Sequence, residues 1–247
     1  MSNPHVLCVV TDFLFFFVLF LLGGTLVQAQ DLEKVLDDYF KATGMDKFSK
    51  VKTVEMKAKM SQMGMELPMT IKIKKPDKFR MEIEIQGQKA ITAYDGEHGW
   101  TIAPWVSSEP QDLAGEQLEQ AKEQADLQGD LWEWEKKGHK ATLMGKEDLE
   151  GTEVYKVKLV KKNGDVQYYY IDTDSNMLLK TVTNVKQNGQ EMEVESIMGN
   201  YKDFDGIIVP TSIENKVKGT NQSGNIEIES MKFDVDMPDS LFEKPAK

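Results

Sequence analysis

From Thr53 to Val235, outside one polar interval, apolar and polar residues alternate with a period of two, and nothing else in the sequence constrains the fold as tightly. Val54, Met56, Ala58 and Met60 are separated by Glu55, Lys57 and Lys59. Met65, Leu67, Met69, Ile71 and Ile73 are separated by Glu66, Pro68, Thr70 and Lys72, and Phe79, Met81, Ile83 and Ile85 by Arg80, Glu82 and Glu84. A strand turns successive side chains to opposite faces, so the pattern predicts half-buried strands of antiparallel sheet. Further strands are expected over 155–159, 166–170, 178–185, 192–198, 207–217 and 226–235. Pro76-Asp77, Gly87, Asp95-Gly96, Asn163-Gly164 and Asn188-Gly189 mark turns between strands. About 11 hairpin-linked strands predict one long sheet that curls towards a barrel.

Two segments break this period. Residues 31–43 predict a helix, because Leu32, Val35, Leu36, Tyr39 and Phe40 form one apolar stripe, Asp31 can cap its start, and Gly44 can end it in the left-handed conformation. Residues 107–137 are polar, rich in Glu and Gln, and poor in β-formers. They predict one or two short helices, with Ser108 as a cap, Pro110 in the first turn and an interruption near Gly129.

Of the 247 residues, 40% are hydrophobic, ample for a core. Residues 1–29 carry one charge, Asp12, so the remainder has 30 basic and 40 acidic side chains and a net charge of −10. That balance argues against nucleic acid and against a strongly anionic membrane surface as partners. The run Phe13 to Leu22 is ten apolar residues long, followed by Gly23-Gly24 and by Val27 and Ala29 at cleavage-type spacing. It is shorter than the roughly 20 residues a membrane span requires and reads as a signal peptide, residues 1–29, removed after Ala29 on export. The absence of Lys or Arg before the run leaves an uncleaved anchor or a misplaced start codon as alternatives. Cys8 precedes the apolar run, so the exported portion, 30–247, has no thiol for a disulfide, a metal or a lipid anchor.

No catalytic or metal-binding arrangement is visible. His98 and His139 have no Ser, Cys or second His at a recognised motif spacing, and no phosphate-binding glycine loop occurs. The Glu133/Glu135 and Asp203/Asp205 pairs read as ordinary surface patterns. The chain is expected not to be an enzyme and to need no cofactor.

The phrases "KKPDKFRMEI", "AYDGEHGW", "YYYIDTDSNMLLK", "NYKDFDGIIVPTSIE" and "DVDMPDSLFEKP" occur in that order. Together they resemble the LolA/LolB-like outer-membrane lipoprotein-sorting family of periplasmic proteins, over residues 31 to 245. The resemblance implies a mainly β fold: an incomplete, half-open antiparallel β-barrel, apolar inside, with an N-terminal helix and a short helical lid. It also implies a monomeric periplasmic carrier that takes acylated lipoproteins or other lipids from an inner-membrane transporter towards an outer-membrane receptor. A lipid or lipoprotein sensor and a filled structural module are the alternatives. On this reading Met56, Met60, Met65, Met69, Ile71, Phe79, Met81, Ile83 and Trp100 line the cavity; Met adapts its shape to variable apolar partners, although it fills ordinary cores as well. Lys75, Trp105, Leu127, Leu131, Trp132 and Trp134 form or touch the lid. The family commonly has arginine, holding the lid shut, where this chain has Lys75; a lysine lacks the planar multi-donor group, and Arg80 is a candidate substitute.

Overall fold

The computed structural model describes residues 31–62, 64–187, 190–220 and 223–246. The expected signal peptide, its cleavage site and the Asn188-Gly189 turn lie outside the described residues. Residues 31–43 form helix α1, and Gly44 ends it with φ +71° before the short α2, Met45–Phe48. Six strands follow: β1 Thr53–Gln62, β2 Met65–Lys74, β3 Lys78–Ile85, β4 Gln88–Tyr94, β5 Gly99–Ala103 and β6 Ser107–Asp112. Helix α3, Glu116–Ala125, leads into turns and then to seven more. These are β7 Lys140–Leu149, β8 Thr152–Val160, β9 Val166–Asp172, β10 Leu178–Gln187, β11 Gln190–Phe204, β12 Ile207–Val217 and β13 Ser223–Phe233.

All 13 strands belong to one antiparallel sheet in the order β6-β5-β4-β3-β2-β1-β13-β12-β11-β10-β9-β8-β7. Every neighbour in space is a neighbour in sequence except β1 and β13, which join the two halves of the chain. The free edges are therefore β6 and β7, and the sheet stays open between them. Residues 113–139 connect those edges and must cross from one to the other.

The half-open, mainly β architecture matches expectation, with 13 strands in place of about 11. The additions are the two edges. Ser107–Asp112, expected to begin a helix, is β6, and the helix starts only at Glu116 after Gly115. Pro110 fits this position because an edge strand need not donate every N–H. Three two-residue hairpins, Gln86-Gly87, Glu150-Gly151 and Asp205-Gly206, hold both residues at positive φ, between +52° and +89°. This is the turn whose twist matches that of the flanking strands.

The C-terminal residues form a second layer on the sheet face that carries Trp100. A 3-10 turn, Asp239–Leu241, delivers Phe242 to full burial beside Trp100, itself 1% exposed. The Trp100 indole N–H donates to the Phe242 carbonyl at 2.7 Å, and Arg80 donates to the Leu241 carbonyl at 3.0 Å.

Candidate functional site

The opposite face of the sheet is apolar over both halves. Cross-strand registers align Met56 with Ile71 and Met231, Ala58 with Met69 and Ile228, and Met60 with Leu67 and Ile226. Ile71 aligns with Met81 and Met69 with Ile83, while Met198 meets Ile213 and Ile213 meets Ile226. Period-two alternation thus assembles the methionines and isoleucines of six strands on one surface.

The end of this face near Pro76 and α2 is covered. Helix α1 lays Leu32, Val35 and Leu36 on Leu143, Val157, Leu159, Ile171 and Leu178. Helix α3 lays Ala121 and Ala125 on Phe79 and Tyr94. Between them, Leu127 sits among Val51, Val54 and Ile207, and Leu131 and Trp134 join the α1 cluster. Trp132 meets Phe40 edge-on at 5.0 Å. Residues 113–139 therefore form a strap across the face. At the other end, where β1 turns into β2, a cluster of Ala58, Met69 and Ile228, with Met56, Ile71, Met81, Ile83 and Ile226 against it, consists of strand side chains alone among the described residues.

Charged groups tie the strap down. Lys161, on the β8–β9 hairpin with a side chain 9% exposed, contacts Asp130 at 2.8 Å and Glu123 at 3.2 Å. The His139 Nδ1 accepts the Lys162 backbone N–H at 3.0 Å, which puts the ring proton on Nε2, 3.5 Å from Asp130. Within the strap, Lys137 bonds Asp126 and donates to the Gly129 carbonyl at 2.6 Å. Burial opposes the charge on Lys161, but the hydrogen bond and charge of Asp130, aided by Glu123, leave its ammonium above the ordinary lysine range. A raised lysine pKa stabilises fully at neutral pH and stops doing so only when alkaline pH passes the folded-state value. Asp130 and Glu123 are 26% and 48% exposed. Lys161→Met is therefore expected to loosen the strap by about 2 kcal/mol, between the values of exposed and buried pairs. Hydrogen exchange should accelerate at residues 126–139 ahead of the sheet; uniform exchange would show that this cluster does not hold the strap.

Lys75 donates to the Ser49 carbonyl at 2.5 Å, and Gln128 of the strap donates to the same oxygen at 3.4 Å. Lys75 thus reaches the strap through one shared acceptor. Arg80 faces the other way, bonded to Glu82 at 2.8 Å and stacked 5.6 Å over Trp100.

The predicted lining residues divide. Met56, Met69, Ile71, Met81 and Ile83 come together in the strand-only cluster, Met69 buried at its centre and the other four half-buried around it. Met60 aligns beside it, and Met65, 50% exposed, ends the row at the hairpin. Phe79 lies under α3. Trp100 is a correction: Phe79 pairs with Tyr94, so the next pair, Arg80 with Ala93 and then Trp100, points to the opposite face, under the C-terminal tail. Trp105 is also apart from the strap, 55% exposed in the β5–β6 turn beside Val106 at 79%. Sequence reasoning missed Ile226 and Ile228, whose alternation within 226–235 was legible, and the Lys161–Asp130 tie, which no local pattern announces. Two hollows lined by described residues lie elsewhere: about 410 Å³ around Ser61, Ser212 and Asn225, and about 630 Å³ around Lys47, Lys50 and Phe233.

An open antiparallel sheet, apolar on one face and crossed by a helical strap between its edges, is the LolA-like fold. A LolA superfamily protein from Nitrosomonas europaea superposes with a TM-score of 0.58 at 16% identity, covering 86% of this chain and 97% of that one. A domain named for outer membrane lipoprotein sorting, from Vibrio parahaemolyticus, gives 0.60 at 12% identity, with coverages of 86% and 97%. A DUF1329 family protein from Desulfovibrio piger gives 0.58 at 16%, with 85% and 97%. No curated protein matches in sequence. The family model that does match, described as "Uncharacterized protein", spans residues 78–246, well over half of the chain, and the chain belongs to that family.

Proposed function

We propose that this protein is a periplasmic carrier that holds the acyl chains of lipoproteins or related lipids against the methionine–isoleucine surface and passes them towards the outer membrane. The single observation that carries this reading is the apolar cluster crossed by no helix, in which half-buried Met56, Ile71, Met81, Ile83 and Ile226 surround the buried Ala58, Met69 and Ile228, bordered by a strap that already shields the other end of the same face. The likeness of fold to a lipoprotein-sorting domain supports it. Each buried methylene stabilises a bound chain by roughly 0.8 kcal/mol, so a long acyl chain gains on the order of 10 kcal/mol from full burial. Moving the strap to enlarge the contact offsets part of that gain and keeps the cargo releasable.

Binding is tested by displacement of a fluorescent fatty-acid analogue and by mass spectrometry of lipids that accompany the native protein. Ile83→Lys introduces a charge whose stem can still reach water, so the fold tolerates it. It is expected to weaken binding tenfold or more through lost apolar contact. Unaltered binding in this variant, or a native protein free of lipid that fails to bind the analogue, would remove the proposal. Lipoproteins stranded in the inner membrane after depletion would mark a carrier; normal sorting with an altered envelope response would mark a sensor.

A further inference from the structure

The apolar face contains one row that is not apolar. Thr181 on β10 pairs with Ser196 on β11, and Ser196 pairs with Asn215 on β12. On the other side Thr181 pairs with Tyr169 of β9, whose ring belongs to the core beneath α1. Two residues further along the same strands, and hence on the same face, come Met198 and Ile213, and Ile213 pairs with Ile226 beside Met60. A hydroxyl and amide row therefore runs across the strands directly next to the methionine–isoleucine surface.

The row is built but incomplete. The Ser196 hydroxyl donates to the Asn215 side-chain oxygen at 2.6 Å, which fixes the amide so that its nitrogen presents both hydrogens elsewhere. Among the described residues no acceptor meets them. Thr181 is only 6% exposed, and its hydroxyl also has no partner among the described residues. Neither donor is sealed off, because the only fully buried side-chain polar atom without a partner among the described residues is the Asn225 oxygen, so both stand open to an incoming acceptor beside the apolar surface. The missing partner is a hydrogen-bond acceptor, and it is a neutral one: the row contains no cation. The lysines next to the row, Lys180 and Lys216, point to the opposite face, where Lys180 pairs with Glu195 and Lys216 with Glu214.

We infer that the Thr181 hydroxyl and the Asn215 amide, the latter oriented by Ser196, bind the ester carbonyls at the head of a diacylglyceryl group whose hydrocarbon lies on the adjoining surface. The inference rests on the acyl-binding reading and deepens it by naming the linkage. From the row, which aligns with position 62 on β1, to Met56 is six residues of strand, about 20 Å, room for an extended chain. A free hydrocarbon or an ether-linked lipid would leave the donors unmet. A phosphate or carboxylate would find no counter-charge.

The test compares dioctanoyl phosphatidylcholine with its dioctyl ether counterpart, and a diacylglyceryl-cysteine peptide with its dialkyl ether, by displacement of the fluorescent analogue. The native protein is expected to prefer ester over ether about tenfold in at least one pair, the scale of one or two neutral hydrogen bonds. The ratio should fall towards one in Ser196→Ala/Asn215→Leu and, as a near-isosteric check, to an intermediate value in Thr181→Val. A preference confined to the phospholipid pair names a free lipid as the source, and one confined to the peptide pair names a lipoprotein. Equal affinity for ester and ether in the native protein overturns this inference and leaves acyl binding intact. Failure to bind any of the four overturns both.

Discussion

Phe242→Ala is expected to lower the stability of the folded protein by about 4 kcal/mol, the cost of emptying a site that held a fully enclosed ring. The ring is 0% exposed although it lies only five residues from the end of the chain. Several bonds converge on the backbone that carries it. Trp100 and Arg80 donate to the Phe242 and Leu241 carbonyls, Lys74 donates to the Met237 carbonyl at 2.6 Å, and Asp239 pairs with Lys74 at 2.7 Å. These donors lie on β2, β3 and β5, so the tail reaches across the β5-β4-β3-β2 part of the sheet. Deleting the ring leaves a void under the tail and loosens the backbone carbonyl that accepts the Trp100 indole N–H, so water can compete for that bond. Chemical denaturation should show a shifted midpoint, and Trp100 emission should move towards that of a wetter indole. A loss below about 1 kcal/mol would mean that the site collapses around the missing ring and that the tail is dispensable.

The central strands were legible in the sequence, and the two edges were not, for one physical reason. A strand covered on one face must alternate, as Met69, Ile71 and Ile73 do, because a slip of one residue would send the apolar set into water. An edge strand has less to bury. In β7 the alternation of Ala141 and Leu143 is broken by a register shift between Leu143 and Gly145, which leaves Met144 55% exposed. In β6 only polar residues and Pro110 occur, a composition that resists pairing with other chains. The site was readable to the same extent. Alternation placed Met56, Met69, Ile71, Met81 and Ile83 together, but nothing local distinguishes the face of Trp100 from that of Phe79 until the pairing of β3, β4 and β5 is known. The strap's ties join residues about 30 positions apart in sequence, such as Lys161 with Asp130, and pairings at that distance follow from topology alone.

Gly44→Ala should be nearly as damaging as loss of the Phe242 ring, by a different route. Gly44 has φ +71°, a conformation that costs an alanine about 1 kcal/mol. Space is the larger obstacle: a Cβ built on Gly44 would stand 2.2 Å from the backbone oxygen of Gly206, well inside any tolerated contact. The obstructing atom belongs to the tight β11–β12 turn, where Asp205 and Gly206 both hold positive φ and the Lys47 ammonium binds the Asp205 carbonyl. Neither side can yield without moving α1 and α2 away from the strand end that they cover. The combined cost is expected to reach about 3 kcal/mol or more, on the scale of overpacking added to backbone strain. Gly206→Ala provides the internal comparison. Its φ is +78°, but a Cβ there would meet only the flexible Lys47 side chain, at 3.8 Å. It should lose about 1 kcal/mol, the conformational part alone. Thermal unfolding of the two variants separates the causes: a large gap assigns the damage at Gly44 to the contact between helix end and turn, whereas equal losses would show that the two backbones part easily and that φ alone decides.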